Sequence, residues 1–196
     1  MLTVKAILAV SKNNVIGLDH KIPWHLKSDM EFFKNSTLHR PVIMGYNTWK
    51  SLPGVILPER ENYVLANHPT KYDANGLFFY QELKEVLKKI SEKGSNSVYI
   101  IGGGELIINS LDIIDELLIT VIDTSIDISN SFTVSRFPFP LDQLVDIDVP
   151  WENQINIGKI VFNVKVVDKI IKDKNNDHNA TIFSLTKSKG KQNGLK

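Results

Sequence analysis

The apolar positions of the chain fall into short runs rich in β-branched residues, with helical spacing between them. Six such runs precede residue 123, at 3–10, 41–45, 62–66, 76–80, 97–104 and 116–122. Amphipathic stretches lie at about 26–36, 45–52, 81–93 and 104–110. Continuous apolar strands alternating with helices are typical of a parallel sheet covered on both faces. We therefore predict an α/β fold, a three-layer α/β/α sandwich around a mainly parallel central sheet of about eight strands.

The last third of the chain has a different pattern. Two apolar segments, 160–171 and 179–187, flank the turn-rich stretch KDKNNDHN. They predict an antiparallel C-terminal hairpin that closes the sheet. The segment 123–158 predicts turns and extended pieces without clear elements. We predict one domain over 1–186 and a disordered basic tail over 187–196.

Composition excludes several classes of protein. The chain has 196 residues, of which 42% are hydrophobic, and a formal net charge of +1, so it has no basic excess for nucleic acid. No run approaches the ~20 apolar residues of a membrane span, and the first run is too short for a signal peptide. The absence of cysteine excludes disulfides and thiolate chemistry and fits a reducing compartment. We expect a cytoplasmic protein without nucleic-acid or membrane partners.

Two glycine-containing turns follow apolar strands. Gly102, Gly103 and Gly104 come directly after YII, and Gly45 follows VIM, three residues ahead of Thr48. Glycine lets the main chain approach a ligand closely, although either turn alone is equally consistent with plain turn geometry. The dinucleotide fingerprint G-x-G-x-x-G is absent. Because open α/β sheets bind ligands outside the carboxyl ends of their strands, the two turns together indicate an extended ligand there.

Asp29 lies in the first turn of the first predicted helix and borders its apolar stripe. Leu26, Met30 and Phe33 form that stripe at i, i+4 and i+7. One interpretation is that Asp29 complements the positive helix N-terminus, which is worth about 0.3–1 kcal/mol. The other is that Asp29 is the polar group of an apolar pocket, where lost solvation would raise its pKa. The helix alone leaves both interpretations open.

Other chemistry has little support in the sequence. The histidines show no ligand spacing, so we predict no metal site and surface or loop positions for all five, namely His20, His25, His39, His68 and His178. No G-x-S-x-G nucleophile motif is present. Arg60 is either a carboxylate-binding group or a solvated loop cation. Trp24 is either a core residue or part of a lid.

Four motifs, in order from Val4 to Ile122, resemble the dihydrofolate reductase family. NNVIGLDHKIPWHLKSDMEFFKNST is similar to the mobile active-site loop and substrate helix, and RPVIMGYNTWKSLP to the next strand and cofactor-binding helix. LPERENYVL is similar to the loop with the folate-tail arginine, and VYIIGGGEL to the diglycine turn. The resemblance implies reduction of 7,8-dihydrofolate with NADPH, a place in one-carbon metabolism and binding of antifolate-type molecules. We expect a monomer.

The resemblance also implies roles for individual residues. Asp29 would bind the pterin ring with Thr120 bonded to it, and Arg60 would pair with the substrate glutamate. The implied catalytic residues are Ile22, Trp24, Asp29 and Thr120, with the N5 proton arriving through water beside Ile22. The implied substrate contacts are Ile7, Leu8, Asp29, Met30, Phe33, Leu52, Leu57, Arg60, Ile101 and Thr120. The implied cofactor contacts are Ala9, Ile16, Gly17, Gly45, Tyr46, Asn47, Thr48, Leu65, Asn67, His68, Gly102, Gly103, Gly104, Glu105, Leu106 and Ile107.

Departures from the family's pattern lie mostly around the cofactor. Tyr46 and Glu105 occupy positions where cations are common, and Ile107 one where Tyr or Phe is common. The GDT of the loop that braces the lid is absent. The bond between Gly102 and Gly103 matches a non-proline cis peptide of the family. Two alternatives remain, a same-fold riboflavin-pathway reductase and a non-catalytic folate- or nucleotide-binding relative.

Overall fold

The structure is a computed structural model, and it describes residues 1–67, 73–74, 76–138, 140 and 154–188. Its strands are β1 Thr3–Ser11, β2 Val15–Leu18, β3 Val42–Gly45, β4 Asn62–Leu65, β5 Asp73–Ala74, β6 Leu77–Tyr80, β7 Ser97–Ile100, β8 Glu116–Ile122, β9 Val134–Arg136, β10 Gln154–Ile157, β11 Ile160–Ile170 and β12 Ala180–Lys187. Its helices are α1 Lys27–Thr37, α2 Tyr46–Lys50, α3 Leu83–Glu92 and α4 Gly104–Ile108. Within these residues, every helix is too short or too polar to cross a membrane.

Ten of the described strands form one mixed sheet in the order β10-β11-β12-β8-β1-β7-β3-β4-β6-β5. β1 lies between β7 and β8 and is parallel to both. β3, β4 and β6 continue the parallel part, whereas β12, β11 and β10 follow β8 in antiparallel pairs. The predicted mixed architecture with its C-terminal hairpin is confirmed. The sheet exceeds the predicted eight strands because the short strands β5 and β10 extend its two edges.

Helices cover both faces of this sheet. Neighbouring side chains on a strand point to opposite faces. Ala6 of β1 joins the cluster that contains Ile90 of α3 and Ile107 of α4. Ile7, the next residue, joins the cluster against which Phe33 of α1 packs. The three-layer prediction is therefore confirmed, with α1 and α2 on one face and α3 and α4 on the other.

A second, two-stranded sheet lies apart from the central one. In it, β2 pairs with β9 in antiparallel register, with Val15 opposite Arg136 and Leu18 opposite Val134. Both β9 and β10 fall in the segment 123–158, for which the sequence predicted no clear elements. These strands have only three and four residues, which is too short for a recognisable period-2 pattern.

The end of β12 differs from the predicted boundary at residue 186. Lys187 belongs to β12, and its backbone N–H donates to the carbonyl of Asp115 over 3.0 Å. The ammonium of Lys187 donates to the carbonyl of Asp112. The N–H of Ser188 donates to the carbonyl of Val161 over 2.9 Å. The prediction of a disordered tail is therefore wrong for 187–188, and its remaining residues, 189–196, lie outside the described part of the chain.

The core cluster between the sheet and α3 predicts a large difference between two isoleucines. Ile119 of β8 is fully buried in this cluster, and Ile171 is 69% exposed. Ile119→Ala leaves a cavity, so we expect it to lower the free energy of unfolding by about 2–5 kcal/mol. Ile171→Ala removes the same atoms from the surface and should change that energy by less than about 0.5 kcal/mol. Urea unfolding measures both, and equal losses would contradict this description of the core.

Candidate active site

The two glycine turns meet at the carboxyl ends of β3 and β7. The N–H of Gly45 donates to the carbonyl of Gly102 over 2.8 Å. The peptide bond between Gly102 and Gly103 is cis, as the family resemblance implied. Gly102 has a φ of +130°, a conformation that glycine adopts far more readily than residues with a side chain. The turns therefore form one continuous main-chain surface, which we call the glycine surface (Gly45 and Gly102 to Gly104).

Close packing explains why Gly104 has no side chain. A Cβ atom at this position would lie 2.6 Å from the carbonyl oxygen of Arg136 in β9. The same atom would lie 3.0 Å from Cδ1 of Ile16 in β2. A Cβ at Gly102 would meet the hydroxyl of Thr48 at 3.4 Å. The glycine surface, the start of α2 and the β2–β9 sheet therefore lie against one another.

Asp29 connects the first turn of α1 to the central sheet. The hydroxyl of Thr120, which is 2% exposed on β8, donates to Oδ1 of Asp29 over 2.6 Å. Burial raises the pKa of Asp29 above its ordinary value, and the Thr120 hydrogen bond opposes that shift because it stabilises the carboxylate. Of the two interpretations that the sequence left open, the structure favours a pocket acid.

Apolar side chains on the α1 face of the sheet form a wall near this acid. Ile7 is 4% exposed, and four of the partly buried residues that pack in the same cluster were also predicted substrate contacts. These are Phe33, Leu52, Leu57 and Ile101. All five were predicted substrate contacts, and the structure brings them together in one cluster. Their contact with a substrate stays a prediction.

Three other predicted contacts lie outside this wall, and their contacts with a ligand stay predictions. The side chain of Leu8 packs against the opposite face of the sheet, because it neighbours Ile7 on a strand. Met30 is 52% exposed, so the predicted helix stripe is not uniformly buried. Ile107 is fully buried in the core beside α3, so its side chain has a packing role and any cofactor contact stays a prediction.

Arg60 is oriented by main-chain acceptors at the end of α1. Its Nη1 donates to the carbonyl of Pro58 over 3.1 Å, and its Nη2 donates to the carbonyl of Lys34 over 3.4 Å. Among the described residues, its buried Nε has no hydrogen-bond partner. An unsatisfied buried donor costs about 1–3 kcal/mol, which a bound acceptor would recover. The two main-chain hydrogen bonds and the buried Nε disfavour a fully solvated loop cation, and carboxylate recognition stays a prediction.

The turn at Asp19 and His20 precedes Ile22, and we call it the lid turn after the predicted lid. It is anchored to the loop before β9. Asp19 and His20 in this turn have φ values of +49° and +62°. One carboxylate oxygen of Asp19 accepts the backbone N–H groups of Phe132 and Thr133 over 2.9 and 2.8 Å. This contact could not be predicted from the sequence, because Asp19 and the two N–H groups that it accepts are more than 110 residues apart.

Trp24 packs against a core cluster and also lines a depression on the surface. It packs against the cluster that contains Leu26 and Ile122, while Ile22, two residues earlier, is 56% exposed. The two side chains line an open depression of about 500 Å³ together with Asp177 and neighbouring residues of the lid. The core alternative for Trp24 is therefore supported, and its place in a lid stays a prediction.

The remaining predicted cofactor contacts lie on elements around the glycine surface. They are Ala9 on β1, Ile16 and Gly17 on β2, Asn47 and Thr48 on α2, Leu65 at the end of β4, Asn67 just beyond it and Leu106 on α4. Tyr46 is 46% exposed, with its ring centroid 5.4 Å from that of Trp49, and Glu105 is exposed. His68 lies outside the described residues.

The histidines have no metal-binding arrangement in the described ranges. No group of three or more His, Asp or Glu residues there could hold a metal ion. His20, His25 and His39 are exposed and His178 is partly buried in a turn, as predicted for surface or loop positions.

The fold and site define an α/β protein with a glycine surface at the carboxyl ends of β3 and β7 and an acid, Asp29, bonded to Thr120 of β8. The family model described as dihydrofolate reductase matches residues 3–138. A dihydrofolate reductase type 3 of Salmonella typhimurium is 37% identical over 124 residues, which are 63% of this chain and 74% of the relative. The dihydrofolate reductase of Buchnera aphidicola subsp. Baizongia pistaciae is 32% identical over 168 residues, 85% of this chain and 88% of the relative. The chain belongs to the dihydrofolate reductase family.

A solved structure supports the fold. Dihydrofolate reductase from Enterococcus faecalis, complexed with NADP(H) and RAB-propyl, matches with a TM-score of 0.71. The match covers 95% of this chain and 96% of that one at 24% identity. At that identity, the likeness shows a shared fold.

The raised pKa of Asp29 predicts a stability effect in the ligand-free protein. Because the folded-state pKa lies above the ordinary 3.8, the contribution of Asp29 to stability is present below 3.8 and is lost as pH rises through the folded pKa. Asp29→Asn keeps an acceptor for Thr120 but cannot ionise. We therefore expect this variant to be more stable than wild type at pH 8, with a gain that shrinks towards pH 4.

Urea unfolding at pH 4, 6 and 8 measures this difference. Glu31→Gln removes an exposed acid from the same helix and serves as the control for a general effect of charge removal. If Asp29→Asn were less stable than wild type at pH 8, or gained equally at all three pH values, burial would not be the cause of the raised pKa.

Proposed function

We propose that the protein reduces 7,8-dihydrofolate to 5,6,7,8-tetrahydrofolate with NADPH as the hydride donor, in the service of one-carbon metabolism. The observation that most supports this proposal is the hydrogen bond of 2.6 Å from the hydroxyl of Thr120 to Asp29. It lies beside the apolar wall. Family membership and the names of the relatives support the same reaction. The absence of cysteine fits a cytoplasmic protein, and we propose that it acts as a monomer.

The chemistry of Asp29 suits a pterin ring. A carboxylate that leaves water is stable only when donors replace the lost solvation. Thr120 supplies one donor to Oδ1, and a pterin ring supplies two more from its 2-amino group and N3. Ile7 and Phe33 belong to the apolar wall and would pack against the flat ring. The same contacts would bind antifolate-type molecules that carry a similar pair of donors.

The orientation of Arg60 suits the glutamate tail of the substrate. Two main-chain carbonyls hold Nη1 and Nη2, so the guanidinium loses little side-chain freedom when a ligand binds. Its buried Nε still lacks an acceptor. The α-carboxylate of the substrate would supply that acceptor at the open end of the apolar wall.

The glycine surface fits a dinucleotide cofactor. A main-chain hydrogen bond joins Gly45 to Gly102, and Gly102 has a positive φ, so main-chain atoms form the surface there. These glycines and Thr48 would hold NADPH, which supplies a hydride when bound. Tyr46 and Glu105 offer no positive charge to its phosphates. Asn67, exposed beyond β4, is the described candidate for a 2′-phosphate contact.

The lid would control access of water to the reacting ring. Ile22 is 56% exposed at the edge of the cleft, whereas Trp24 is packed. We assign the N5 proton to water that enters beside Ile22 and is polarised by Asp29. The protein's main contribution is then to position two rings in a cleft with little water.

Turnover tests this proposal directly. We expect wild-type protein to oxidise NADPH when dihydrofolate is added. The Asp29→Asn variant should have a kcat/KM at pH 7 that is lower by about 10²-fold or more. Absorbance of the reduced nicotinamide measures both, with NADH run in parallel and Glu31→Gln as the control. Failure of folded wild-type protein to oxidise either cofactor would overturn the enzyme proposal in favour of a binding relative. Full activity in Asp29→Asn would overturn the role of Asp29 alone.

Arg60→Ala gives an independent prediction. The glutamate tail is bound alike in the ground state and the transition state, so KM for dihydrofolate should rise while kcat changes little. A charge-assisted contact is worth about 1.5–3 kcal/mol, which corresponds to a rise of roughly 10- to 100-fold. A dihydropterin without the glutamate is the matched control, since it should react equally with wild type and variant. An unchanged KM for dihydrofolate would contradict the assignment.

A further inference from the structure

Helix α1 begins without a capping side chain of its own. Leu26 occupies the N-cap position and has no side-chain oxygen, and no cap hydrogen bond comes from within the helix. The first N–H groups of any α-helix lack partners inside the helix. In α1 these groups lie directly before Asp29, so whatever satisfies them determines the position of the first turn.

The turn between β11 and β12 supplies the missing acceptors. The N–H of Lys27 donates to the carbonyl of Asn175 over 3.1 Å. The N–H of Ser28 donates to Oδ1 of Asn176 over 3.0 Å, across 148 residues of sequence. Asn176 is only 5% exposed, and its Nδ2 donates to Oδ1 of Asp173 over 2.8 Å. The amide of Asn176 is therefore held by one bond on each side.

Backbone pairing extends this contact towards the lid. Leu26 and Asn176 form an antiparallel bridge. The N–H of Asp177 donates to the carbonyl of His25 over 2.9 Å, and the N–H of His25 donates to Oδ2 of Asp177 over 3.2 Å. The β11–β12 turn thus holds the whole entry to α1, but Asn176 contributes the side chain that caps the helix.

We propose that Asn176 is a positioning residue for Asp29. It acts as the N-cap of α1, although it belongs to a distant part of the chain. An acid in the first turn is attracted to the free N–H groups of its own helix. Because the Ser28 N–H is already bonded to Asn176, the carboxylate of Asp29 is free to turn to Thr120 and the cleft. The amide cap is neutral, so it adds no second negative charge beside Asp29. This inference rests on the proposed function for its consequence in substrate binding.

The cap itself can be tested without a ligand. Amide hydrogen exchange of wild-type protein should show protection at Ser28, where an uncapped first turn would exchange freely. In Asn176→Ala this protection should be lost, and the pKa of Asp29, followed by carbon NMR of its carboxyl group, should fall because the freed N–H of Ser28 attracts the carboxylate. Among the described residues, burial and Thr120 determine that pKa in the wild type. Free exchange at Ser28 in wild type, or an unchanged Asp29 titration in the variant, would overturn the proposal.

Ligand affinities separate positioning from general stability. We expect Asn176→Ala to weaken dihydrofolate binding by about 2- to 30-fold, the range that a lost helix cap spans, and to leave NADPH binding within about twofold. Asn175→Ala is the matched control, since Asn175 contacts α1 through its backbone carbonyl, and it should bind both ligands as wild type does. Equal weakening of both ligands in Asn176→Ala would mean that Asn176 has only a structural role. Wild-type protein that binds neither ligand would instead contradict the proposed function. The hydrogen-exchange measurement would still show whether Asn176 caps α1.

Discussion

The burial of one carboxylate between α1 and β8 is the constraint on which the rest of the site depends. A buried acid is unfavourable for folding, since its charged form loses water, and the hydroxyl of Thr120 offsets only part of that loss. The surrounding structure must therefore hold Asp29 in place. It does so with a wall of packed apolar side chains on one side and with acceptors for the helix N-terminus on the other. The buried carboxylate lowers the stability of the folded protein, and a ligand that donates two hydrogen bonds to it would restore that stability.

The lid and the glycine surface are connected through one short strand. β9 pairs with β2, whose end leads into the turn held by Asp19, and the carbonyl of Arg136 in β9 occupies the space where Gly104 would have a side chain. A displacement of β9 therefore changes both the lid and the turn at which α4 begins. On the loop side the Asp19 brace uses only backbone N–H groups, so it requires no particular side chains there and remains although the sequence GDT is absent.

The sequence predicted the elements that are long and periodic and missed those that depend on distant partners. The parallel strands and α1 to α4 were predicted because each has an apolar pattern of its own. β2 and β9 were missed because each is short and is defined by its pairing. The substrate contact of Leu8 came from family resemblance, whereas strand alternation places its side chain on the face opposite Ile7, so that contact stays a prediction. Asn176 had no local signal at all, since a cap contributed across 148 residues leaves no mark near the helix.

Tyr46 and Glu105, beside the glycine surface, occupy positions where cations are common in the family. Tyr46 packs on Trp49, which in turn contacts the ring of Phe79 edge-on at 5.1 Å, so the start of α2 presents an aromatic surface. Glu105 adds a negative charge at α4. Ion pairs with the cofactor phosphates would contribute little at these two positions, and binding would depend on main-chain N–H groups instead. Such contacts are short-ranged and weakly screened by salt. The affinity for the dinucleotide would then depend on how closely the ligand can approach the main chain of Gly45, Gly102 and Gly103, whereas the missing side chain of Gly104 makes room for the carbonyl of Arg136.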